Sequence, residues 1–174
     1  MPPSRGRPRR TGVHRRGRGR RAPLVATFEG SIDVNAPVRT TYDQWTQFET
    51  FPQFMEGVEE VRQVADTKLE WRAEIGGRTE EWEGEITEQI PDQRIAWTSR
   101  TGAKNAGVVT FHRIDEDTTR VMLQVEYEPE TLVEHAGAAL GIVGRRIEGD
   151  LQRFKEFIES RGQATGAWRG KIEN

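Results

Sequence analysis

Apolar and charged residues alternate between residues 68 and 127, and this pattern predicts a series of β-strands with one apolar face. The two-residue turn Gly76-Gly77 joins two of them in a hairpin and sets their register, with Trp71 opposite Trp82. The full set of predicted strands is 26–34, 57–65, 68–75, 78–90, 93–99, 106–114 and 118–128.

Two features of this predicted sheet are left open. The hairpin register places Glu70 opposite Glu83, a like-charge pair that the pattern does not explain. Between the last two strands, the linker 115–117 does not define which residues share a face. If Val109 and Phe111 belong to the apolar face, the connection needs an odd number of residues or a bulge.

Two short helices are predicted between the first and second strands. Asn35 is expected to cap the first, with Pro37 in its first turn, where the missing N–H costs nothing. Thr50 with Pro52 is expected to start the second, which presents aromatic side chains to the sheet.

A long amphipathic helix follows the last strand. Thr131 and Glu134 form a capping box at its start, and Gly162 is expected to end it. Burial of its apolar face contributes at most about 1.5–3 kcal/mol per side chain, enough to dock the helix on the sheet. That face consists of Leu140, Val143, Ile147, Leu151, Phe154 and Ile158.

Three glycines interrupt the first half of this helix. Gly137, Gly141 and Gly144 each cost about 0.8–1 kcal/mol relative to alanine. One interpretation is a softened lid that moves to admit a ligand. The alternative is a close contact with a loop or a partner chain.

These elements predict an α+β fold in which a curved antiparallel sheet of about seven strands wraps around the long C-terminal helix. One sheet covered by one large helix leaves a hollow between them, here lined by tryptophan and aliphatic residues. The sequence therefore predicts a container for an apolar molecule.

The order of short motifs along the body resembles a known family. The motifs are SIDVNAPV at 31–38, FPQFM at 51–55, GVEEV at 57–61, WEGEI at 82–86, GVVTF at 107–111 and DLQRFK at 150–155. Over about residues 25–161 they resemble the polyketide cyclase/dehydrase and coenzyme-Q-binding branch of the START-like (SRPBCC) superfamily. The resemblance implies a helix-grip fold with a deep cavity between sheet and C-terminal helix. It implies no particular reaction, because members include lipid and quinone carriers as well as aromatase/cyclases.

Strand parity selects the candidate ligand-binding residues, although most of them would also suit an ordinary core. The Tyr127 hydroxyl could hydrogen-bond a ligand carbonyl or reach the rim. Arg78 and Glu80, near the hairpin tip, are expected at the cavity mouth. The full set of candidates is Phe54, Met55, Trp71, Trp82, Ile86, Trp97, Val109, Phe111, Leu123, Tyr127, Leu140, Val143 and Ile147.

Candidate catalytic groups are scarce on this inner face. No inward pair of carboxylates, Ser–His–Asp set or inward lysine is visible, so we predict no catalytic residue. His112 is expected to face outward beside Arg113. With no cysteine and three scattered histidines, the chain is expected to hold neither a metal nor another cofactor.

Charge divides the chain into a basic tail and an acidic body. Residues 1–28 carry nine arginines and no acidic residue, which leaves 17 of the 26 basic residues and all 28 acidic residues in the remainder, a net charge of −11. Residues 1–24 are predicted to be a disordered Arg/Gly/Pro-rich tail. They are either an extension from a mis-assigned start, with Val25 as the true initiator, or an arm that binds nucleic acid or anionic lipid.

The remaining residues define one START-like ligand-binding domain at 25–161 and a C-terminal tail at 162–174, in which the position of Trp168 stays open. No apolar segment is long enough for a signal peptide or a membrane span, so we expect a cytoplasmic protein. The favoured function is binding of a small hydrophobic molecule (a lipid, quinone or polyketide-like aromatic) as a carrier or sensor. The alternative is a cyclase/dehydrase-type enzyme that positions a polyketide-like substrate in the same cavity.

Overall fold

A seven-stranded antiparallel sheet and one long helix form the body of the protein. The structure is a computed structural model that describes residues 25–128 and 133–173, without the side chains of 133–140. In chain order the elements are β1 (Ala26–Val34), α1 (Val38–Trp45), a 3-10 helix (Phe48–Gln53), β2 (Val58–Ala65), β3 (Lys68–Ile75), β4 (Arg78–Ile90), β5 (Arg94–Gly102), β6 (Lys104–Arg113), β7 (Thr119–Glu128) and α2 (Val133–Arg161). The predicted α+β architecture is confirmed.

The sheet order is β1-β7-β6-β5-β4-β3-β2. In the β3–β4 hairpin Trp71 lies opposite Trp82 and Glu70 opposite Glu83, which confirms the predicted register. The like-charge pair is relieved from the next strand, because Arg62 of β2 lies opposite Glu70 and donates a 2.5 Å hydrogen bond to its carboxylate. The ion pair between Arg62 and Glu70 is exposed, so it contributes little to stability. Its positive charge nevertheless offsets the repulsion between Glu70 and Glu83.

The last two strands share their apolar face. Val109 lies opposite Leu123 and Phe111 opposite Val121, so all four point to the same side of the sheet. The ladder ends at Arg113 and Thr119, and five residues connect them. The connection is therefore odd in length, as a common apolar face requires.

The start of α1 differs from the prediction. Pro37 occupies the N-cap position and no side chain caps the helix, so the predicted Asn35 cap is wrong. The backbone N–H of Asn35 instead donates a 2.7 Å hydrogen bond to the carboxylate of Glu159, and this bond ties the entry of α1 to the end of α2. The 3-10 helix also begins two residues before Thr50, at Phe48.

The β5–β6 connection is tighter than the predicted loop 100–105. Both strands continue almost to each other, and Gly102 makes this possible because it adopts a φ of 72°. A β-carbon at that position would lie 2.0 Å from the Glu81 carbonyl oxygen, so only glycine fits here.

Helix α2 lies across the sheet over β1 and ends where predicted. Gly162 adopts a φ of 71° and its N–H bonds to the Ile158 carbonyl at 2.9 Å, closing the last turn. The approach to β1 is close, since a β-carbon on Gly30 would lie 2.8 Å from the Ile147 side chain. The predicted capping box at Thr131 and Glu134 lies outside the described residues and side chains.

The C-terminal segment after α2 packs back on the body. The backbone N–H of Thr165 bonds to the Gln44 side chain at 2.8 Å, and that of Trp168 bonds to the Thr46 hydroxyl at 3.0 Å. Ile172 and Gln89 exchange two backbone hydrogen bonds and so form an isolated bridge beside β4. This segment closes the end of the body that carries α1.

The described residues contain no helix that is long and apolar enough to cross a membrane. The predicted arginine-rich tail, with its proposed contacts to nucleic acid or anionic lipid, lies outside the described residues.

Candidate ligand-binding site

A cavity lies between the sheet and the middle turns of α2. Its volume is about 190 Å³. Strands β3 to β7 form one wall, and Val143, Ile147 and Leu151 of α2 form the other. Trp45 and Phe51 close it on the side of α1 and the 3-10 helix.

The indoles of Trp71 and Trp82 form one part of the wall. Their rings are stacked, with centroids 5.5 Å apart and an interplanar angle of 9°. The hairpin register sets this pair, because it places the two residues directly opposite each other. Gly84 on β4 leaves room for it, since a β-carbon there would lie 3.3 Å from the Trp71 ring nitrogen. The result is a flat aromatic surface on the cavity wall.

Trp97 forms a second aromatic part of the wall on β5. It lies opposite Gly107 of β6, and its ring fills the space that a side chain there would occupy. A β-carbon on Gly107 would lie 2.4 Å from the Trp97 ring and 2.6 Å from the Gln124 carbonyl oxygen. The glycine therefore leaves the space that the indole occupies.

Polar side chains in the lining are few. Asn105 and Tyr127 lie opposite each other on β6 and β7 at one end of the cavity. The side-chain amide of Asn105 donates to the Ala103 carbonyl at 3.0 Å, and its backbone N–H donates to the Ser99 hydroxyl at 3.0 Å. This end of the wall is therefore held by hydrogen bonds of its own.

Asp150 brings a carboxylate to the helix side of the cavity. Its Oδ1 accepts a 2.8 Å hydrogen bond from the backbone N–H of Glu56 and a second bond from the Arg153 guanidinium. Burial raises the pKa of Asp150, and these two donors only partly oppose that effect. An acid in this setting is unusually costly to ionise.

Sequence reasoning missed Asp150, although the signal was present. It follows Val143 by seven residues and Ile147 by three, which is the spacing of the inward face of α2. The predicted inward face contained apolar residues alone, whereas Asp150 adds an acid to it.

Arg146 anchors α2 to the end of β3 beside this acid. Its guanidinium donates to the Glu74 backbone carbonyl and, at 3.1 Å, to the Glu74 carboxylate. The backbone N–H of Gly77 and the Arg146 guanidinium together hold the pKa of Glu74 below its usual range. Gly57 allows the approach, since a β-carbon there would lie 2.3 Å from the guanidinium.

Most of the predicted ligand-binding residues lie on the cavity wall. The wall contains Met55, Trp71, Trp82, Ile86, Trp97, Leu123, Tyr127, Val143 and Ile147. It also contains residues that the prediction did not single out, chiefly Trp45, Phe48 and Phe51 from the short helices and Leu69 and Ile75 from β3. Contact of these residues with a ligand stays a prediction.

Three predicted residues lie in the packed core and not on the cavity wall. Phe111 contacts Tyr42 at a ring-centroid distance of 5.4 Å, Phe54 contacts Phe154 at 5.4 Å, and Val109 is fully buried. Strand parity selects the inner side of the sheet, but it does not tell where along that side the helices fill the space.

The remaining predicted residues lie elsewhere. Arg78 is exposed, Glu80 is half-buried, and neither contributes to the cavity lining, because the hairpin carries both past the covered part of the sheet. His112 is exposed, as expected. The side chain of Leu140 lies outside the described part of α2.

Comparison with known proteins agrees with this geometry. A family model described as polyketide cyclase/dehydrase and lipid transport matches residues 34–156. The chain belongs to the polyketide cyclase/dehydrase family. The chain is also similar to an uncharacterized 17.2 kDa protein encoded between melC2 and rnhH in Streptomyces lincolnensis, at 57% identity over 149 residues, which covers 85% of this chain and 99% of that protein.

Two solved structures have the same fold. The Zhui aromatase/cyclase from Streptomyces sp. R1128 matches with a TM-score of 0.69 at 14% identity, over 83% of this chain and 100% of its own. A START superfamily protein from Mycobacterium smegmatis matches with a TM-score of 0.60 at 17% identity, over 73% of this chain and 97% of its own. At these identities the two structures show the fold alone. Membership of the polyketide cyclase/dehydrase family supports hydrophobic ligand binding or a cyclase role in general terms.

Proposed function

We propose that the protein binds a small hydrophobic molecule in the cavity between the sheet and α2, as a carrier or sensor. The observation that carries this proposal is the aromatic cavity of about 190 Å³ inside an otherwise packed body. A dry apolar cavity of about 150 Å³ is enough to bind benzene. The space therefore suits a molecule of one or two rings, or a short aliphatic chain.

The tryptophans provide a direct test of this proposal. Of the five in the chain, Trp45, Trp71, Trp82 and Trp97 line the cavity, while Trp168 lies in the C-terminal segment outside it. Each indole N–H gives one signal in a nitrogen-correlated NMR spectrum. On titration with naphthalene we expect the four cavity signals to shift together and the Trp168 signal to stay in place.

Two outcomes would reject binding in the cavity. If no indole signal moves at the solubility limit of naphthalene, the space does not admit a guest. If Trp168 shifts with the others, the probe binds to the surface or disturbs the whole fold. The Trp168 signal therefore serves as the internal control.

The natural occupant can be sought in protein purified from its own organism. Native mass spectrometry would retain an apolar molecule bound in the cavity, and a denaturing spectrum of the same sample would release it. A carrier or sensor should leave this molecule chemically unchanged.

A second function, a cyclase or dehydrase, is favoured by one specific observation. The cavity wall contains Asp150, a partly buried acid whose pKa is raised by burial, and a positioned acid of this kind can transfer a proton. The aromatase/cyclase fold of the Streptomyces neighbour is compatible with this role. The recovered occupant, added back to empty protein, would then lose water over time, and the loss would stop in Asp150→Asn. An occupant that returns unchanged argues for the carrier.

A further inference from the structure

We infer that ligands enter the cavity at one side of α2, where the helix faces loop 54–57 and the end of β3. We call the contacts at this side the seam. They join Arg146, Asp150 and Arg153 of α2 to Glu74 and to the backbone of the loop. The inference rests on the proposed function, because it names the entrance of the same cavity.

Two side chains of α2 hold the loop by its backbone. The Asp150 carboxylate accepts a 2.8 Å hydrogen bond from the backbone N–H of Glu56. The Arg153 guanidinium donates a 2.8 Å hydrogen bond to the backbone carbonyl of Phe54 and a second bond to Asp150. The loop is therefore fastened to the helix at two points that are two residues apart.

Arg146 extends the seam to the end of β3. It precedes Asp150 by four residues, so the two side chains lie on the same side of the helix. Its guanidinium donates to the backbone carbonyl of Glu74 and, at 3.1 Å, to the Glu74 carboxylate. The backbone N–H of Glu74 in turn donates to the Gly57 carbonyl at 2.7 Å. Helix, strand and loop are thus joined by hydrogen bonds at one place.

The opposite side of α2 meets β1 by apolar packing beside the cavity. A β-carbon on Gly30 would lie 2.8 Å from the Ile147 side chain and 3.0 Å from that of Leu151. A β-carbon on Gly144 would lie 3.2 Å from the Phe28 ring. Water can replace the partner of a hydrogen bond at little net cost, but it does not replace an apolar contact. The seam is therefore the side that opens more easily.

The seam separates the cavity from solvent. Met55 of the loop lines the cavity, as do Ile75 at the end of β3 and Asp150. On the outer side, the side chains of Glu56 and Arg153 are 61% and 40% exposed. Movement of the loop away from α2 would withdraw Met55 from the cavity wall and open the space at this point.

The variant Arg153→Met tests the latch. It keeps an unbranched side chain but removes the hydrogen bonds to Phe54 and Asp150. Arg153 lies outside the cavity lining, so the dissociation constant for naphthalene should stay the same. The association and dissociation rates should both rise about tenfold, because only the closed state loses hydrogen bonds to a charged group. Line shapes of the indole NMR signals across a titration measure both rates.

Lys155→Met is the matched control on the opposite side of α2. The Lys155 ammonium donates a 2.7 Å hydrogen bond to the backbone carbonyl of Asp33 in β1 and pairs with Glu159 at 2.8 Å. The control therefore also removes a cation of α2 that holds a backbone carbonyl. Its exchange rates should equal those of the original protein. Equal acceleration in both variants would mean that general loosening admits the ligand, and the inference would be wrong.

A crosslink tests the seam in the opposite direction. The chain has no cysteine, so in a Glu56→Cys, Arg153→Cys variant a short bifunctional thiol reagent joins the loop to α2 alone. The side-chain ends of the two original residues are 3.8 Å apart. The crosslinked protein should exchange naphthalene about tenfold more slowly than the same variant treated with a monofunctional reagent. This comparison also decides the matter if Arg153→Met does not fold.

The outcomes separate this inference from the proposed function. If naphthalene does not bind to the original protein, the cavity is not a binding site and both proposals fail. If naphthalene binds but neither Arg153→Met nor the crosslink changes its exchange rates, the binding site stands and the seam is not its entrance. A changed dissociation constant with unchanged association would also reject the seam, because a gate alters both rates together.

Discussion

The two halves of helix α2 meet the same sheet in different ways. Phe154 and Ile158, in the second half, are fully buried. Val143, in the first half, is only partly buried, and Ile147 lies against the cavity. The apolar stripe is equally regular in both halves. The pattern on one helix therefore does not decide whether the space beneath it is filled.

The difference comes from what the rest of the chain adds. Trp45 contacts Phe154 at a ring-centroid distance of 4.8 Å and 70°, and Phe54 contacts the same ring from the 3-10 helix side. These edge-to-face contacts fill the space under the second half. No short helix in the described residues covers the first half in the same way. Trp45 lies at the boundary, since it also lines the cavity.

The largest expected effect comes from truncating one side chain in each half. Phe154→Ala should lower the free energy of unfolding by about 3–5 kcal/mol, because it leaves a void in a filled core. Val143→Ala should cost about 1 kcal/mol, since its methyl groups already face open space. Urea denaturation measures both.

Equal losses for the two variants would contradict this comparison, because they would mean that both halves are packed alike. The expected pattern has a second part. Val143→Ala enlarges the cavity and should change the affinity for naphthalene, whereas Phe154→Ala should leave the Trp71 and Trp82 signals unmoved.

A smaller effect is expected at the wall opposite the helix. Gly107→Ala should lower the free energy of unfolding by about 1–3 kcal/mol, because the new methyl group cannot share space with the Trp97 ring. In a Trp97→Leu background the same change should cost less. Part of the cost should remain, since the Gln124 carbonyl oxygen is also close. An identical cost in both backgrounds would mean that the indole does not rest on the glycine.

The architecture was predictable because local rules and the fold agree. The Gly76-Gly77 turn sets one register, and opposite charges outside with indoles inside support it. The end of α2 at Gly162 follows from a residue that readily adopts positive φ. The Asn35 cap failed because α1 begins at Val38, with Pro37 at the N-cap position, so Asn35 lies two residues before that position. Its backbone N–H bonds instead to Glu159, a contact between residues far apart in the sequence that local propensity does not contain.

The site was predictable only in part, for a physical reason. The alternation of residues along a strand tells on which side of the sheet Phe111 and Trp97 lie. Whether a residue on that side packs in the core or lines the cavity depends on where α1 and the 3-10 helix cover the sheet. Asp150 was missed because apolar residues alone were used to read the inward face. An acid at an inward position interrupts the apolar pattern, so a search for apolar periodicity does not select it.

The glycines of the first half of α2 allow a finer comparison. Gly141 has open space around it, so Gly141→Ala should raise the free energy of unfolding by about 0.8–1 kcal/mol through helix propensity. Gly144→Ala should gain less, because its methyl group would lie 3.2 Å from the Phe28 ring of β1. Gly144 thus makes a close contact, but with strand β1 and not with the loop or partner chain of the alternative.

The lid hypothesis then depends on Gly141 and on Gly137, which lies outside the described side chains. If this half of α2 moves to admit a ligand, Gly141→Ala should slow the exchange of naphthalene measured by NMR line shape. A gain in stability with an unchanged exchange rate would reject the lid and leave the stability prediction intact.

The smallest effect is a pair of opposite pH dependences at Asp150 on the cavity wall and Glu74 near the end of β3. Burial raises the folded pKa of Asp150 above its usual 3.8, so the folded state holds this proton longer than the unfolded chain does. The contribution of this shift to the free energy of unfolding is fully present below pH 3.8, and it is lost as the pH rises through the folded pKa of Asp150. Asp150→Asn should therefore gain stability relative to the original protein as the pH rises.

Glu74 should behave in the opposite way, because the Gly77 N–H and Arg146 lower its folded pKa below the usual 4.5. Its contribution is present above pH 4.5 and is lost as the pH falls through the folded pKa. Glu74→Gln should therefore be less stable than the original protein at neutral pH, and the difference should vanish in acid. Urea denaturation across this range measures both slopes. If the stability difference between variant and original protein changed with pH in the same direction for both variants, Asp150 and Glu74 would have similar surroundings. The contrast between a desolvated Asp150 and a paired Glu74 would then fail.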